Sequence, residues 1–164
     1  MRVLGIDPGT AITGYAVVEE EGNALHLIAI GAIRTQARTP LPRRLQTIYR
    51  EMEEVIAAYR PDEAAVEELF FRRNVTTALS VGHARGVVIL ALADAGLPVA
   101  EYTPMQVKQA VSGYGGADKH QVQEMVRRLL NLPDIPRPDD AADAAAVAIC
   151  HLHRARLEAL MNRP

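Results

Sequence analysis

Carboxylates are the residues of this chain whose placement could do chemistry. Asp7 closes the short apolar run Arg2-Val3-Leu4-Gly5-Ile6 and is followed by Pro8-Gly9, so it stands where a buried strand enters a turn. Glu67 and Glu68 interrupt a second apolar run. Strand alternation sends those two to opposite faces, and only one can face the way Asp7 faces. Further on, Asp139, Asp140 and Asp143 open an alanine-rich helical pattern. Asp140 and Asp143 are three apart and Asp139 and Asp143 four apart, so either pair shares a helix face and spacing does not choose between them. Each acid has a plainer reading: a turn-forming Asp, a solvated edge glutamate, an acid favoured at a helix N-terminus. Against those readings stand Ala141, Ala142, Ala144, Ala145 and Ala146, which let this helix approach a sheet closely. Crowded carboxylates repel one another and take up protons unless a cation is present. Divalent metals with oxygen ligands reconcile such a cluster, Mg²⁺ first among them, with Mn²⁺ as a substitute. Two such ions ~3.5–4 Å apart activate a water and stabilise the leaving oxygen of a phosphodiester, which gives hydrolysis without a protein nucleophile.

The elements that must carry these acids are legible from periodicity. Residues 2–7, 12–19 and about 25–34 read as three antiparallel strands joined by tight turns. Thr39-Pro40 opens a helix with Leu45, Ile48, Met52, Val55 and Ile56 on one face, stopped by Pro61-Asp62. A short strand at about 63–69, a long helix at about 74–95 and a fifth strand at 98–102 follow. Helices are expected at about 104–112, 119–131 and 139–160, with a glycine-rich loop, Ser112 to Gly116, between the first two. Three strands, then helix–strand–helix–strand and closing helices, give an α/β sandwich around a mixed sheet. Residues 1–160 are expected to form one domain and 161–164 a short tail.

Bulk properties narrow the class. The 164 residues are 49% hydrophobic and 23% charged, a globular composition with room for one sizeable core. No apolar run is expected to reach the ~20 residues of a membrane span, and the N-terminal residues show no signal-peptide cleavage region, so a soluble cytoplasmic protein is expected. Cys150 is the only cysteine and reads as a buried, inert thiol. The net charge of −2 is uninformative, because clustered acids would mask a basic groove elsewhere. Of 18 basic residues only Lys108 and Lys119 are lysines, which suggests that an ammonium is wanted at those two positions.

Taken together, ordered segments carry a family resemblance. They are Gly5-Ile6-Asp7-Pro8-Gly9 with Thr13-Gly14-Tyr15, Val66-Glu67 with Phe70, Ala84-Arg85-Gly86, Gln106-Val107-Lys108-Gln109, Lys119 with Gln121-Val122-Gln123, and Asp140-Ala141-Ala142-Asp143-Ala144. Over nearly its whole length the chain resembles the RuvC family of bacterial Holliday junction resolvases. The resemblance implies an RNase H-like fold with a five-stranded mixed sheet, three antiparallel then two parallel strands, flanked by helices. It implies that Glu67 rather than Glu68, and Asp140 rather than Asp139, join Asp7 and Asp143 as metal ligands and catalytic residues, with two Mg²⁺ ions and Lys119 at the scissile phosphate. It also implies a homodimer that nicks a four-way DNA junction symmetrically, leaving 5′-phosphate and 3′-hydroxyl ends, beside the branch-migration motor of RuvA and RuvB.

The same resemblance makes Lys108 and Lys119 DNA contacts, and a flexible point charge suits phosphate. Phe70, Phe71, Arg72 and Arg73 could stack on unpaired bases while holding the backbone, with one Phe in the core. Which Phe reaches DNA is open. Gly113, Gly115 and Gly116 would allow a backbone to come close to the duplex. Ala78, Gly82, Ala84 and Gly86 make the long helix a candidate dimer face, or a face packed on the chain's own sheet. His151, eight residues beyond Asp143, is a further candidate to face the metals. Three rivals differ in class: an actin-like phosphate loop at Asp7-Pro8-Gly9-Thr10, which would need a second such domain; an RNase H-like nuclease on structured RNA; and a junction-binding module without catalysis, which would lack an acid.

Overall fold

The computed structural model describes residues 1–68 and 75–162. Strands β1 (Arg2–Asp7), β2 (Ile12–Glu21) and β3 (Ala24–Arg34) lead into helix α1 (Leu41–Tyr59), strand β4 (Glu63–Glu67), helix α2 (Val75–Asp94) and strand β5 (Val99–Tyr102). Helices α3 (Pro104–Ser112), α4 (Lys119–Leu129) and α5 (Asp139–Met161) complete the order. The sheet runs β3-β2-β1-β4-β5. The first three strands pair antiparallel, and β4 and β5 add parallel. This is the expected five-stranded mixed sheet, with β4 ending at Glu67 rather than residue 69.

β1 is central, and it is apolar because helices cover both of its faces. Leu4, Ile6, Ala64 and Val66 face α1 and α2, in a core with Ile48, Met52, Val88 and Leu92. Val3, Ala16, Val18 and Ala65 face the other way, into a core made with α3, α4 and α5. Alternation then fixes the faces of the acids. Asp7 follows Val3 and Gly5, and Glu67 follows Ala65, so both stand on the α5 side at the carboxyl ends of neighbouring parallel strands.

α5 lies unusually close to the sheet, and two glycines permit it. A Cβ on Gly5 would run into the Ala144 carbonyl and come within 2.8 Å of the Ala148 Cβ. One on Gly14 would run into the Asp140 carbonyl and come within 2.8 Å of the Ala141 nitrogen. The alanines supply the matching thinness on the helix side, and Ala141, Ala144, Ala145 and Ala148 are fully buried.

Two expectations are adjusted. α2 is, by length and composition only, apolar enough to cross a membrane, although Thr, Ser, Gly, His and Arg break the run in the sequence. Its Ala84, Val88, Ala91 and Leu92 are buried in the core of its own chain. The helix divides its small residues as well. Ala84 packs inward, while Gly86 is exposed with open space where a Cβ would stand.

Candidate active site

Four carboxyl groups meet over the ends of β1 and β4. Ile6 pairs with Val66, so the next residues along, Asp7 and Glu67, are neighbours across the parallel pair, close enough for each carboxyl to act on the other. α5 supplies the other two acids from its first turns. Asp140 is held by the contact of its backbone with Gly14, and Asp143 lies one turn further on.

Burial pushes the Asp7 carboxyl up to about 8, reinforced by the charges of Glu67, Asp143 and Asp140. Burial also raises Glu67, with Asp143 adding to it, while the hydrogen bond from Asp7 and the charges of Lys108 and Lys119 pull the other way. Asp143 is raised by burial too, against the opposing pull of Lys119. Burial alone would lower the Lys119 ammonium, but its hydrogen bond to Asp143 and the charges of Asp143 and Asp139 outweigh this and raise it. The cluster therefore carries more negative charge than its cations neutralise.

Asp139 and Asp140 separate clearly. Asp139 is drawn outward, with its carboxylate 3.4 Å from Lys119 Nζ and 2.9 Å from Arg137 Nη1. The charge of Lys119 first, and that of Arg137 more weakly, lowers it. Asp139 and Asp140 both act on Asp143, but of the two only Asp140 acts on Asp7. Glu68 belongs to the opposite parity from Glu67, and its backbone nitrogen bonds the Tyr102 carbonyl at 2.8 Å.

The lysines stand at the same end. Lys119 opens α4 behind a capping box formed by Asp118 and Gln121, and its Nζ lies 3.2 Å from Asp143 Oδ2. Lys108, at the middle of α3, is near enough to act on Glu67. Phe70, Phe71, Arg72 and Arg73 lie outside the described residues. The turn after Asp7 is fastened by the Thr13 hydroxyl to the Gly9 carbonyl at 2.8 Å, and by the Thr10 hydroxyl to the Ser80 carbonyl of α2.

His151 does not face the acids. Its Nε2 lies 2.7 Å from Glu63 Oε2 and its Nδ1 2.8 Å from the Tyr102 hydroxyl, so both ring nitrogens are engaged. Eight helical residues move it about 12 Å along the axis from Asp143, to the opposite end of β4. No motif marks this Glu63–His151–Tyr102 chain, because its members are far apart along the polypeptide. Cys150 is the inert thiol expected, with burial pushing it up to about 11.

The donor set fits a hard divalent cation: four carboxyls and no sulfur or imidazole among them. Among the described residues, no three His, Cys, Asp or Glu side chains stand close enough together, as placed, to hold a metal ion. The acids repel one another, and their charges add to the burial that raises Asp7.

Comparison with known proteins places this geometry. Residues 3–151 match the crossover junction endodeoxyribonuclease RuvC family. The RuvC of Heliobacterium modesticaldum is 64% identical over 153 residues, covering 93% of this chain and 94% of that protein. The RuvC of Desulfitobacterium hafniense is 60% identical over 157 residues, covering 96% and 95%. The solved structure of Thermus thermophilus RuvC in complex with Holliday junction substrate superposes with a TM-score of 0.91 at 42% identity, covering 96% of each chain. With its acid cluster on an RNase H-like sheet and its likeness spanning nearly the full length, the chain belongs to the RuvC family of crossover junction endodeoxyribonucleases.

Proposed function

We propose that this protein resolves four-way DNA junctions by metal-dependent hydrolysis, with Asp7, Glu67, Asp140 and Asp143 as metal ligands and catalytic residues. The observation that carries this reading is the gathering of those four carboxyls on one face, where burial first and the neighbouring acids second push Asp7 up to about 8. The ions, two Mg²⁺ with Mn²⁺ as a substitute, would supply an activated water and charge at the leaving oxygen. The chain's own contribution is placement. β1 and β4 hold Asp7 and Glu67 side by side, and the glycine contacts set α5, with Asp140 and Asp143, against them. Lys119 holds Asp143 and offers its ammonium at the phosphate. Lys108 adds positive charge beside Glu67, and Phe70, Phe71, Arg72 and Arg73 follow the Glu67 strand in sequence as base-stacking and backbone contacts.

Resolution needs two opposed cuts, hence a homodimer. The exposed face of α2 supports this, since Val75, Leu79 and Leu90 are 76%, 61% and 53% exposed and Gly86 leaves open space between them. The products are nicks with 5′-phosphate and 3′-hydroxyl ends. The enzyme would work in the cytoplasm beside the RuvA and RuvB motor. The test is incubation with a four-way junction and a linear duplex of equal sequence, in Mg²⁺ and in EDTA. Paired cuts of the junction alone, abolished by EDTA, are expected. Equal cutting of both substrates would overturn the reading in favour of a general nuclease.

A further inference from the structure

Charge is segregated in this chain in a way its sum conceals. Between residues 22 and 50 there are five arginines, Arg34, Arg38, Arg43, Arg44 and Arg50, and no Asp or Glu. Seven described arginines elsewhere are matched with acids: Arg2 with Glu19, Arg85 with Glu101, Arg127 and Arg128 with Glu124, Arg137 with Asp139, Arg154 with Glu158 and Arg156 with Glu20. Among the described residues, none of the five in the acid-free stretch forms an ion pair. The Arg43 side chain bonds only Gln46 among the described residues, at 3.1 Å, and that of Arg44 only the Thr35 hydroxyl, at 2.7 Å. Arg34, Arg38 and Arg43 are exposed.

Their place is the rim of the acid site. Arg34 ends β3 opposite Ile12, two residues along β2 from Gly14, against which the Asp140 backbone rests. Ile33 packs into the α1–α2 core and Ile30 against the α5-side core, so alternation turns Arg34 toward the α5 face. Thr35 ties this corner to the turn after Asp7: its nitrogen bonds the Ala11 carbonyl at 3.0 Å and its hydroxyl bonds the Thr10 carbonyl. Arg38 lies in the connector that follows, and Arg43 and Arg44 lie in the first turn of α1.

We propose that Arg34, Arg38, Arg43 and Arg44 form a phosphate-binding shelf that carries the backbone of a duplex arm leaving the acid site on its β3 side. This rests on the reading of the acids as a junction-cutting site and extends it to an arm of the substrate. Guanidinium groups without acidic partners are free to displace counterions from DNA, whereas those already paired are not. The shelf reads no bases. It positions the arm.

The test compares the wild-type chain with an Arg34→Gln/Arg38→Gln/Arg43→Gln variant, with binding to four-way junctions measured in EDTA across a salt series. Each lost phosphate contact should make the slope of log affinity against log salt shallower by about 0.9–1, so a reduction of about 2–3 is expected. Affinity at low salt should fall on the order of tenfold or more. The deficit should shrink as the arms are trimmed back to the crossing point. An Arg127→Gln/Arg128→Gln variant, which removes two arginines already paired with Glu124, should keep the wild-type slope. An unchanged slope in the triple variant overturns the shelf, and so does a deficit that ignores arm length. If the wild-type chain shows no preference for a junction over a duplex, the acid-site reading and the shelf fall together. Wild-type junction binding with an unaltered slope in the variant removes the shelf alone.

Discussion

His151 Nε2 lies 2.7 Å from Glu63 Oε2, which ties the far end of β4 to the same helix that brings Asp143 to the near end. A carboxylate can only accept, so a neutral ring carries its proton on Nε2 and receives the Tyr102 hydroxyl at Nδ1. Glu63 and Glu67 are about 13 Å apart along the strand, and His151 and Asp143 about 12 Å apart along the helix, so the two elements match as antiparallel rulers. His151→Leu should cost about 1–3 kcal/mol in urea unfolding, because it strands a buried Tyr102 hydroxyl. Glu63→Gln should cost less, since an amide oxygen still accepts from Nε2 and the side chain is 36% exposed. Equal costs for the two variants would contradict this account of the pin.

Asp7→Asn should keep junction binding and lose Mg²⁺-dependent cleavage by about 10³-fold or more, the scale set by several kcal/mol of metal-borne stabilisation. Its metal-free stability should change in the opposite sense. Asp7 titrates near 3.8 when unfolded and at about 8 when folded. Between those values the folded state binds more protons, so stability falls as pH rises through that window. In EDTA, thermal stability of the wild-type chain should decline from about pH 5 to about pH 8, while the Asn variant declines less and is the more stable at the upper end. Matching pH profiles for the two proteins would contradict the raised Asp7.

Gly14→Ala should be damaging out of proportion to one methyl group. The added carbon meets the backbone of Asp140, which cannot rotate away as a side chain would. Overpacking of this kind costs about 1–3 kcal/mol or more, and relief requires lifting the start of α5. Cleavage should therefore fall further than junction binding. A variant with normal turnover and normal melting would show that α5 has slack at this point.

Leu79→Asp, on the exposed face of α2, should yield monomers that nick one strand of a junction without resolving it. Sedimentation and a denaturing-gel assay for simultaneous cuts report the two properties. Paired incision by a monomer would remove the case for α2 as the dimer face.

Much of this was open to a reading of the residues. Period-two and period-3.6 patterns marked the strands and helices because each buries one face or both. Asp7 and Glu67 stood out as charges inside apolar strands. Asp139 and Asp140 could not be separated by spacing, since both lie on the helix face of Asp143. What separates them in space is the contact of Asp140 with Gly14, and a residue without a side chain gives no sign of its partner. His151 was misplaced for a different reason. A helical projection keeps the angle around the axis and discards the distance along it, so eight residues looked close when they were two turns away. The unpaired arginines were visible as residues but not as a surface, because pairing is a property of the folded chain.

The matched lengths of helix and strand have a consequence for how this chain can vary. Between Asp143 and His151 the identity of each alanine matters mainly through its size, whereas the number of residues is fixed. One inserted residue would turn every later position by about 100° and advance it about 1.5 Å. His151 would then swing away from Glu63, or Asp143 would leave the acids. Across this stretch substitution is open to small residues, and insertion or deletion is closed.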